Sequence, residues 1–145
     1  MIVIGRIDKI DLPEFELFDI DAKVDTGAYG SALHCHHVKI TERNGKPTLE
    51  FMILDPDHPE YEGKVFYTTN FKEKMVKSSN GELENRQSIT TEIVIFGKKR
   101  RVEFSLTDRS NMRNPILLGR KFLSKKFIVD VQLKNLSYNN KYKES

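Results

Sequence analysis

A chain of 145 residues, 31% charged and 38% hydrophobic, is one domain's worth of sequence and can bury a single core without staples. Its one cysteine excludes an internal disulfide framework and fits a reducing cytoplasm, and its longest apolar runs (93–96 and 115–118) fall far short of the roughly 20 residues that cross a bilayer. The net charge of +3 conceals an asymmetry: residues 1–72 carry 8 Lys/Arg against 13 Asp/Glu, a balance of −5, and residues 73–145 carry 16 against 8, a balance of +8.

Met1-Ile-Val-Ile runs into Gly5-Arg6 with no basic n-region, apolar h-region or cleavage site, so no signal peptide is expected. The first strand is predicted over 2–4 and the next over 17–24, where apolar residues alternate on either side of Ile20. Strands over 33–41 and 48–54 flank Asn44-Gly45, a strong hairpin signal. The segment 55–59, with two prolines, is a loop. Residues 64–71 are rich in Val, Phe, Tyr and Thr and read as a strand. A hairpin over 75–89 turns at Asn80-Gly81, 88–96 alternates well, Gly97-Lys98 turns the chain, and 101–107 runs back. Residues 108–114 are polar loop, 119–125 is the one expected helix, 127–133 is a last strand, and 137–145 is a polar tail expected to fray. Domain bounds of 1–136 plus that tail follow. Many short strands with one brief helix predict an all-β small barrel or sandwich.

The sharpest local feature is the apolar strand running into Asp25-Thr26-Gly27-Ala28. Asp, Thr and Gly are all turn residues, so a plain turn accounts for the triplet. The other reading is an aspartic-protease loop, with a carboxylate at the floor of a cleft and a glycine permitting close backbone approach. About ninety residues later, Pro115-Ile-Leu-Leu-Gly-Arg-Lys-Phe-Leu123 is an apolar strand entering a short helix at a glycine.

That pair of motifs resembles the half-barrel aspartic proteases of the retropepsin type, in which the second motif packs beneath the active-site loop. Together with 31–34, 76–81 and 106–113, the blocks 22–28 and 117–120 are similar to one bacterial family, retropepsin-like and long labelled ATP-dependent zinc protease, whose members accompany the ATP-grasp ligase that adds glutamates to a ribosomal protein. The resemblance covers nearly the whole chain. It implies a retropepsin-like closed β-barrel with a flap hairpin and one short C-terminal helix, and a peptidase acting on glutamate tails or glutamylated protein. Asp25, Thr26 and Gly27 would then form the catalytic loop. Ala28, His34, the flap residues Ser79, Asn80, Gly81 and Arg86, and Arg109 and Arg113 before the second motif would meet substrate, since guanidinium groups pair carboxylates in bidentate fashion. For each arginine a structural ion pair is an equal alternative.

The residues do not support the words ATP and zinc in that label. No Gly-rich run ends in Gly-Lys-Ser/Thr. Of His34, Cys35, His36 and His37, a strand would send alternate members to opposite faces, and no His-Glu-x-x-His helix exists. No cofactor or metal is expected. Hydrolysis by two carboxylates sharing one proton needs a second Asp. The chain has one Asp-Thr-Gly, so the expectation is a homodimer supplying Asp25 twice, with a monomer pairing Asp25 to His34 or Asp108 as the alternative. Expected partners are an acidic peptide and the glutamate ligase, with no membrane. Nucleic acid fits less well, because stacking aromatics are not interleaved with the basic clusters. A catalytically idle barrel binding an acidic tail or RNA through the basic half is the rival reading.

Overall fold

The computed structural model describes residues 1–77, 80–108 and 113–143. Along the chain it places β1 (Ile2–Ile4), β2 (Ile7–Leu12), a 3-10 turn (Pro13–Phe15), β3 (Leu17–Val24), β4 (Ser31–Arg43), β5 (Lys46–Ile53), β6 (Phe66–Thr68), β7 (Lys72–Lys77), β8 (Leu83–Ile95), β9 (Lys98–Thr107), β10 (Ile116–Leu118), α1 (Arg120–Leu123), β11 (Phe127–Val129) and α2 (Leu136–Lys141). No helix among these residues is long and apolar enough to cross a membrane.

The fold is all-β in its core. Strands pair in the order β10–β3–β2–β8–β9–β4, and β4 pairs again with β10, so the sheet closes into a ring. Closure gives each of these six strands a partner on both sides, although β2 and β8 meet at one bridge, Asp11 with Val94, and so avoids a fully open sheet edge. Ile20, Leu33, Ile93, Phe104, Ile116 and Leu118, all fully buried, fill the ring. β5 and β6 extend outward from β4, and β7 pairs with β8 alone. A separate parallel pair, β1 with β11, lies outside the ring.

Local sequence explains much of this. β3 buries Leu17, then Ile20, Ala22 and Val24. The one-residue slip in its alternation falls at Asp19, whose φ of 54° accompanies a register shift opposite Ile10 and Leu12. That is a bulge, held by the Asp19 N–H donating to Asp11 Oδ1 at 2.9 Å. Asn44 and Gly45, at φ of 54° and 76°, make the two-residue turn that joins β4 and β5, a conformation that suits right-twisted strands. The turn expected at Gly97-Lys98 sits one residue earlier, at Phe96-Gly97, because Ile95 pairs with Lys98. The strand expected over 64–71 shrinks to Phe66–Thr68; the Asn70 N–H turns back to Thr68 Oγ1 at 3.0 Å and ends the ladder.

Two larger differences concern β8 and the C-terminal segment. The return arm of the predicted hairpin and the predicted strand over 88–96 are one continuous strand, β8, exposed at Leu83–Asn85 and buried at Ile89, Thr91, Ile93 and Ile95. The expected frayed tail is instead helix α2, packed on β2. Asp8, only 1% exposed, accepts the N–H groups of Ser137 at 2.9 Å and Tyr138 at 3.1 Å, satisfying amides that a helix start cannot pair internally. Ser137 Oγ accepts the Phe96 N–H at 2.7 Å. At the far end Lys141 Nζ donates to both oxygens of Asp11 at 3.0 Å and to Asp19 at 2.8 Å, and the Tyr142 hydroxyl donates to Asp19.

These contacts set the pKa values. Burial alone would raise the Asp19 carboxyl, but the hydrogen bonds from Lys141 and Tyr142 outweigh it and hold the group below the usual carboxylate range. Burial likewise opposes the charge on Lys141, and the bonds to Asp19 and Asp11 win, pushing its ammonium well above the ordinary lysine range. Because the folded Asp19 value is lowered, its stabilisation is present above the unfolded value of about 4 and is lost as pH falls through the folded value. We therefore expect Lys141→Met to lower stability at neutral pH by about 1–2 kcal/mol, measured by urea denaturation, and the gap from the parent protein to narrow at acid pH as Asp19 protonates.

Candidate active site

β3 carries Asp25 to the end of the ring, and β10 fixes it there. Val24 pairs with Leu118 in parallel register, and the Asp25 N–H donates to the Leu118 carbonyl at 2.9 Å. The chain then turns. The Gly27 N–H donates to Asp25 Oδ1 at 2.9 Å, and the Ala28 N–H donates to the Asp25 carbonyl at 3.3 Å. One carboxylate oxygen is thus anchored by the loop itself. Oδ2 takes no hydrogen bond among the described residues, and the residue is half-exposed. Thr26 and Gly27 are exposed beside it.

The loop is backed by α1, and each depends on the other. A four-residue helix is too short to stand alone, and its first amides have no partner within the helix. Here the Arg120 N–H donates to the Ala28 carbonyl and the Lys121 N–H to the Tyr29 carbonyl, both at 2.8 Å. The Gly119 N–H donates to Ser31 Oγ at 3.1 Å. The Arg120 guanidinium reaches further, donating to the Thr26 carbonyl at 3.0 Å from a position 5.9 Å from the Tyr29 ring centre. Gly119 makes this approach possible: a Cβ there would lie 2.3 Å from the Gly30 carbonyl oxygen.

His34 lies elsewhere. Its N–H donates to the Pro115 carbonyl at 2.8 Å, whereas Asp25 bonds Leu118, so the two attach to opposite ends of a segment spanning about 10 Å of extended chain. The imidazole is buried, with Nε2 2.8 Å from Asp55 Oδ2 and Nδ1 3.8 Å from Asp108 Oδ1. The structure therefore sets His34 and Asp108 together and both apart from Asp25. Burial of Asp55 favours a raised pKa, yet the hydrogen bond from His34 and the Asp57 N–H outweigh it and the carboxyl is lowered. The alternation expected across His34–His37 is interrupted at its end: the register shifts between His36 and Lys39, with His37 at φ 54°, while His34 and His36 both reach the 54–55 segment. Each imidazole is engaged differently. His36 Nδ1 donates to the Leu54 carbonyl at 2.6 Å, and His37 Nε2 meets Glu50. Among the described residues no three His, Cys, Asp or Glu side chains converge as a metal site. Burial pushes the Cys35 thiol well above its ordinary range, which suits a packing residue.

Of the expected substrate contacts, Ser79 and Arg109 lie outside the described residues. Asn80 and Gly81 lie in the connection between β7 and β8, with the Glu82 N–H donating to Asn80 Oδ1 at 3.1 Å and Gly81 at φ 88°. Arg113 is exposed. Arg86 lines a cavity of about 630 Å³ bounded by β7, β8, β9, α1 and loop residues Tyr29 and Gly30. Arg101, Lys121 and Lys126 belong to short basic runs of the sequence (98–101, 120–121 and 125–126), whereas Lys72 and Lys74 stand two apart on a strand and so share one face; all five line the same cavity.

The close approach at Gly119 gives a direct test. Gly119→Ala should destabilise the protein by roughly 1–3 kcal/mol, because backbone must shift. Gly30→Ala, whose Cβ would meet nothing within 4 Å, should be tolerated. Paired urea melts of the two variants check this, and equal midpoints would contradict the packing described.

Residues 3–140 match the family model described as RimB-like, retropepsin-like aspartic endopeptidase RimB. The chain is 33% identical over 132 residues to a probable alpha-L-glutamate ligase of Shewanella halifaxensis, a stretch that is 88% of this chain and 28% of that protein. It is 27% identical over 135 residues to a protein of the same name from Desulfotalea psychrophila, covering 90% and 28%. The chain thus spans little more than a quarter of the length of these curated relatives. The crystal structure of Lpg0085 from Legionella pneumophila, a protein of unknown function (DUF785), superposes with a TM-score of 0.73 at 26% identity, covering 94% of this chain and 98% of that one. With its Asp-Thr-Gly loop seated on β10 and α1, and with 3–140 matched end to end, this chain belongs to the RimB-like family of retropepsin-like aspartic endopeptidases.

Proposed function

We propose that the protein is an aspartic peptidase that hydrolyses peptide bonds in acidic, glutamate-rich tails or glutamylated protein. The observation that carries this reading is Asp25: a half-exposed carboxylate, one oxygen anchored by the Gly27 N–H, on a loop whose backbone is tied to β10 and α1. Pre-set position is what a water-activating carboxylate needs. One chain supplies one such group, so the working enzyme is a homodimer in which two Asp25 side chains face each other and share a proton. The ionised one takes a proton from water as the oxygen attacks the scissile carbonyl carbon. The neutral one gives its proton to the carbonyl oxygen, and collapse of the tetrahedral species breaks the C–N bond with the amine leaving protonated.

The glutamate substrate is supported by the basic side chains around the cavity beside the loop and by relatives named for glutamate ligation. Ligase activity itself we assign to the remainder of those longer proteins, since the shared segment is 28% of their length; for this chain the name supports a functional link to a glutamate ligase. A second reading, a non-catalytic module holding an acidic peptide or RNA, is favoured by the same cations. Asp25→Asn separates the two. On a poly-α-glutamate series read by mass spectrometry, the variant should lose at least about 100-fold in cleavage rate while sedimenting as a dimer like the parent. Unchanged cleavage would remove Asp25 from the mechanism, and a strictly monomeric active species would refute the shared dyad.

A further inference from the structure

We propose that the cavity between β7, β8, β9 and α1 is a distal subsite that binds a run of side-chain carboxylates on the peptide, away from the bond cut at Asp25. This rests on the peptidase reading above and names a recognition site for it. Asp25 does not line the cavity, but Tyr29 and Gly30 of its loop do, so a chain leaving the Asp25 loop on that side meets the cavity next.

Six cationic side chains, Lys72, Lys74, Arg86, Arg101, Lys121 and Lys126, line it against two carboxylates, Glu73 and Glu103. The arrangement is not what stability alone selects. Lys74 and Arg86 are directly opposite each other on paired strands, and like charges so placed are destabilising; Glu84 pairs Arg86 at 3.2 Å and offsets part of this, leaving Lys74 as the uncompensated member. Neither Lys74 nor Lys126 makes an ion pair among the described residues; Lys126 Nζ instead sits 5.3 Å from the centre of the Phe122 ring. An anion entering between these groups relieves the repulsion and gains charge-assisted hydrogen bonds.

Glu103 shows what such an anion does. Its carboxylate is bridged by Lys72 of β7 and Lys121 of α1, each at 3.2 Å, so the cavity already holds one carboxylate between hairpin and helix. Those two lysines, led by Lys72, hold the Glu103 carboxyl below the usual range. Tyr29, Val102 and Phe122 supply apolar walls for the methylene stems of glutamate side chains. Tyr29 is the one exposed aromatic of this lining, Phe122 being buried, whereas a single-stranded polynucleotide stacks successive bases on several such rings; a peptide suits the mixture better.

The test measures binding without turnover. In an Asp25→Asn background, fluorescence anisotropy of a labelled oligo-α-glutamate peptide is compared with an oligoglutamine peptide of equal length and with single-stranded oligothymidylate. Lys74→Glu with Lys126→Glu should raise the glutamate-peptide Kd about tenfold or more. Lys98→Glu with Lys99→Glu, which makes the same change in net charge on exposed residues outside the cavity, should change it by less than about twofold. Lys74→Gln with Lys126→Gln gives an intermediate loss and serves if charge reversal prevents folding, as judged by a thermal melt. Equal effects of the cavity and remote pairs, no binding of the glutamate peptide, or equal binding of oligothymidylate would each overturn the subsite. The outcome is independent of the peptidase reading: a protein that binds in this pattern but never cleaves retains the subsite and loses the peptidase, and one that cleaves without the pattern does the reverse.

Discussion

The structure depends on three residues of extended chain. β10 enters between β3 and β4, parallel to the first and antiparallel to the second, and it alone closes the ring. The same insertion puts the Leu118 carbonyl under the Asp25 N–H and hands the chain to Gly119, where contact with Gly30 is so close that no side chain fits. Fold closure and site placement are therefore one event. A strand this short contributes little pairing of its own. Its hold comes from Ile116 and Leu118, both fully buried, and from the exchange in which loop carbonyls receive the first amides of α1.

Electrostatics divides the molecule in the same way. Acidic residues of the first half do structural work: Asp8 and Asp11 are nearly buried on β2 and bind α2 through backbone amides and Lys141. Basic residues of the second half gather around the hairpin, β9 and α1, where Lys74 and Arg86 oppose one another. The −5 half of the chain thus supplies the carboxylates that staple α2, and the +8 half most of the cations that line the cavity. The Lys141 clamp joins the end of the second to the start of the first, which is why a polar segment remains ordered.

Legibility in sequence followed the range of the interactions involved. The strand over 17–24, the Asn44-Gly45 turn and the hairpin at Asn80-Gly81 rest on neighbours in the chain, and they were readable. The placement of Asp25 beside a Gly-Arg motif was readable through the resemblance, since no local rule pairs residues 24 and 118. Helix α2 was not: Leu-Ser-Tyr-Asn-Asn-Lys has no cap of its own, and its amides are satisfied by Asp8, nearly the whole chain away. β2 was missed because its buried Asp8 and Asp11 break the apolar alternation. The opposite ends of β10 also separated His34 from Asp25, a distance that proximity in sequence conceals. Lys72 and Lys74 drew no notice because a charged strand reads as solvated until the facing strand is known.

The continuity of β8 carries a consequence for how this fold can diversify. Its exposed arm and its buried portion share one unbroken pleat, so side-chain facing in the hairpin is inherited from the core. Adding one residue to an arm would turn that arm's later side chains to the other face, taking either Arg86 or the Lys74 opposite it out of the cavity according to the arm lengthened. Adding residues in pairs, one pair to each arm, lengthens the hairpin and preserves the facing. Lengthening the hairpin in such paired steps extends it by increments of about 7 Å while the pattern of charges along it stays in register.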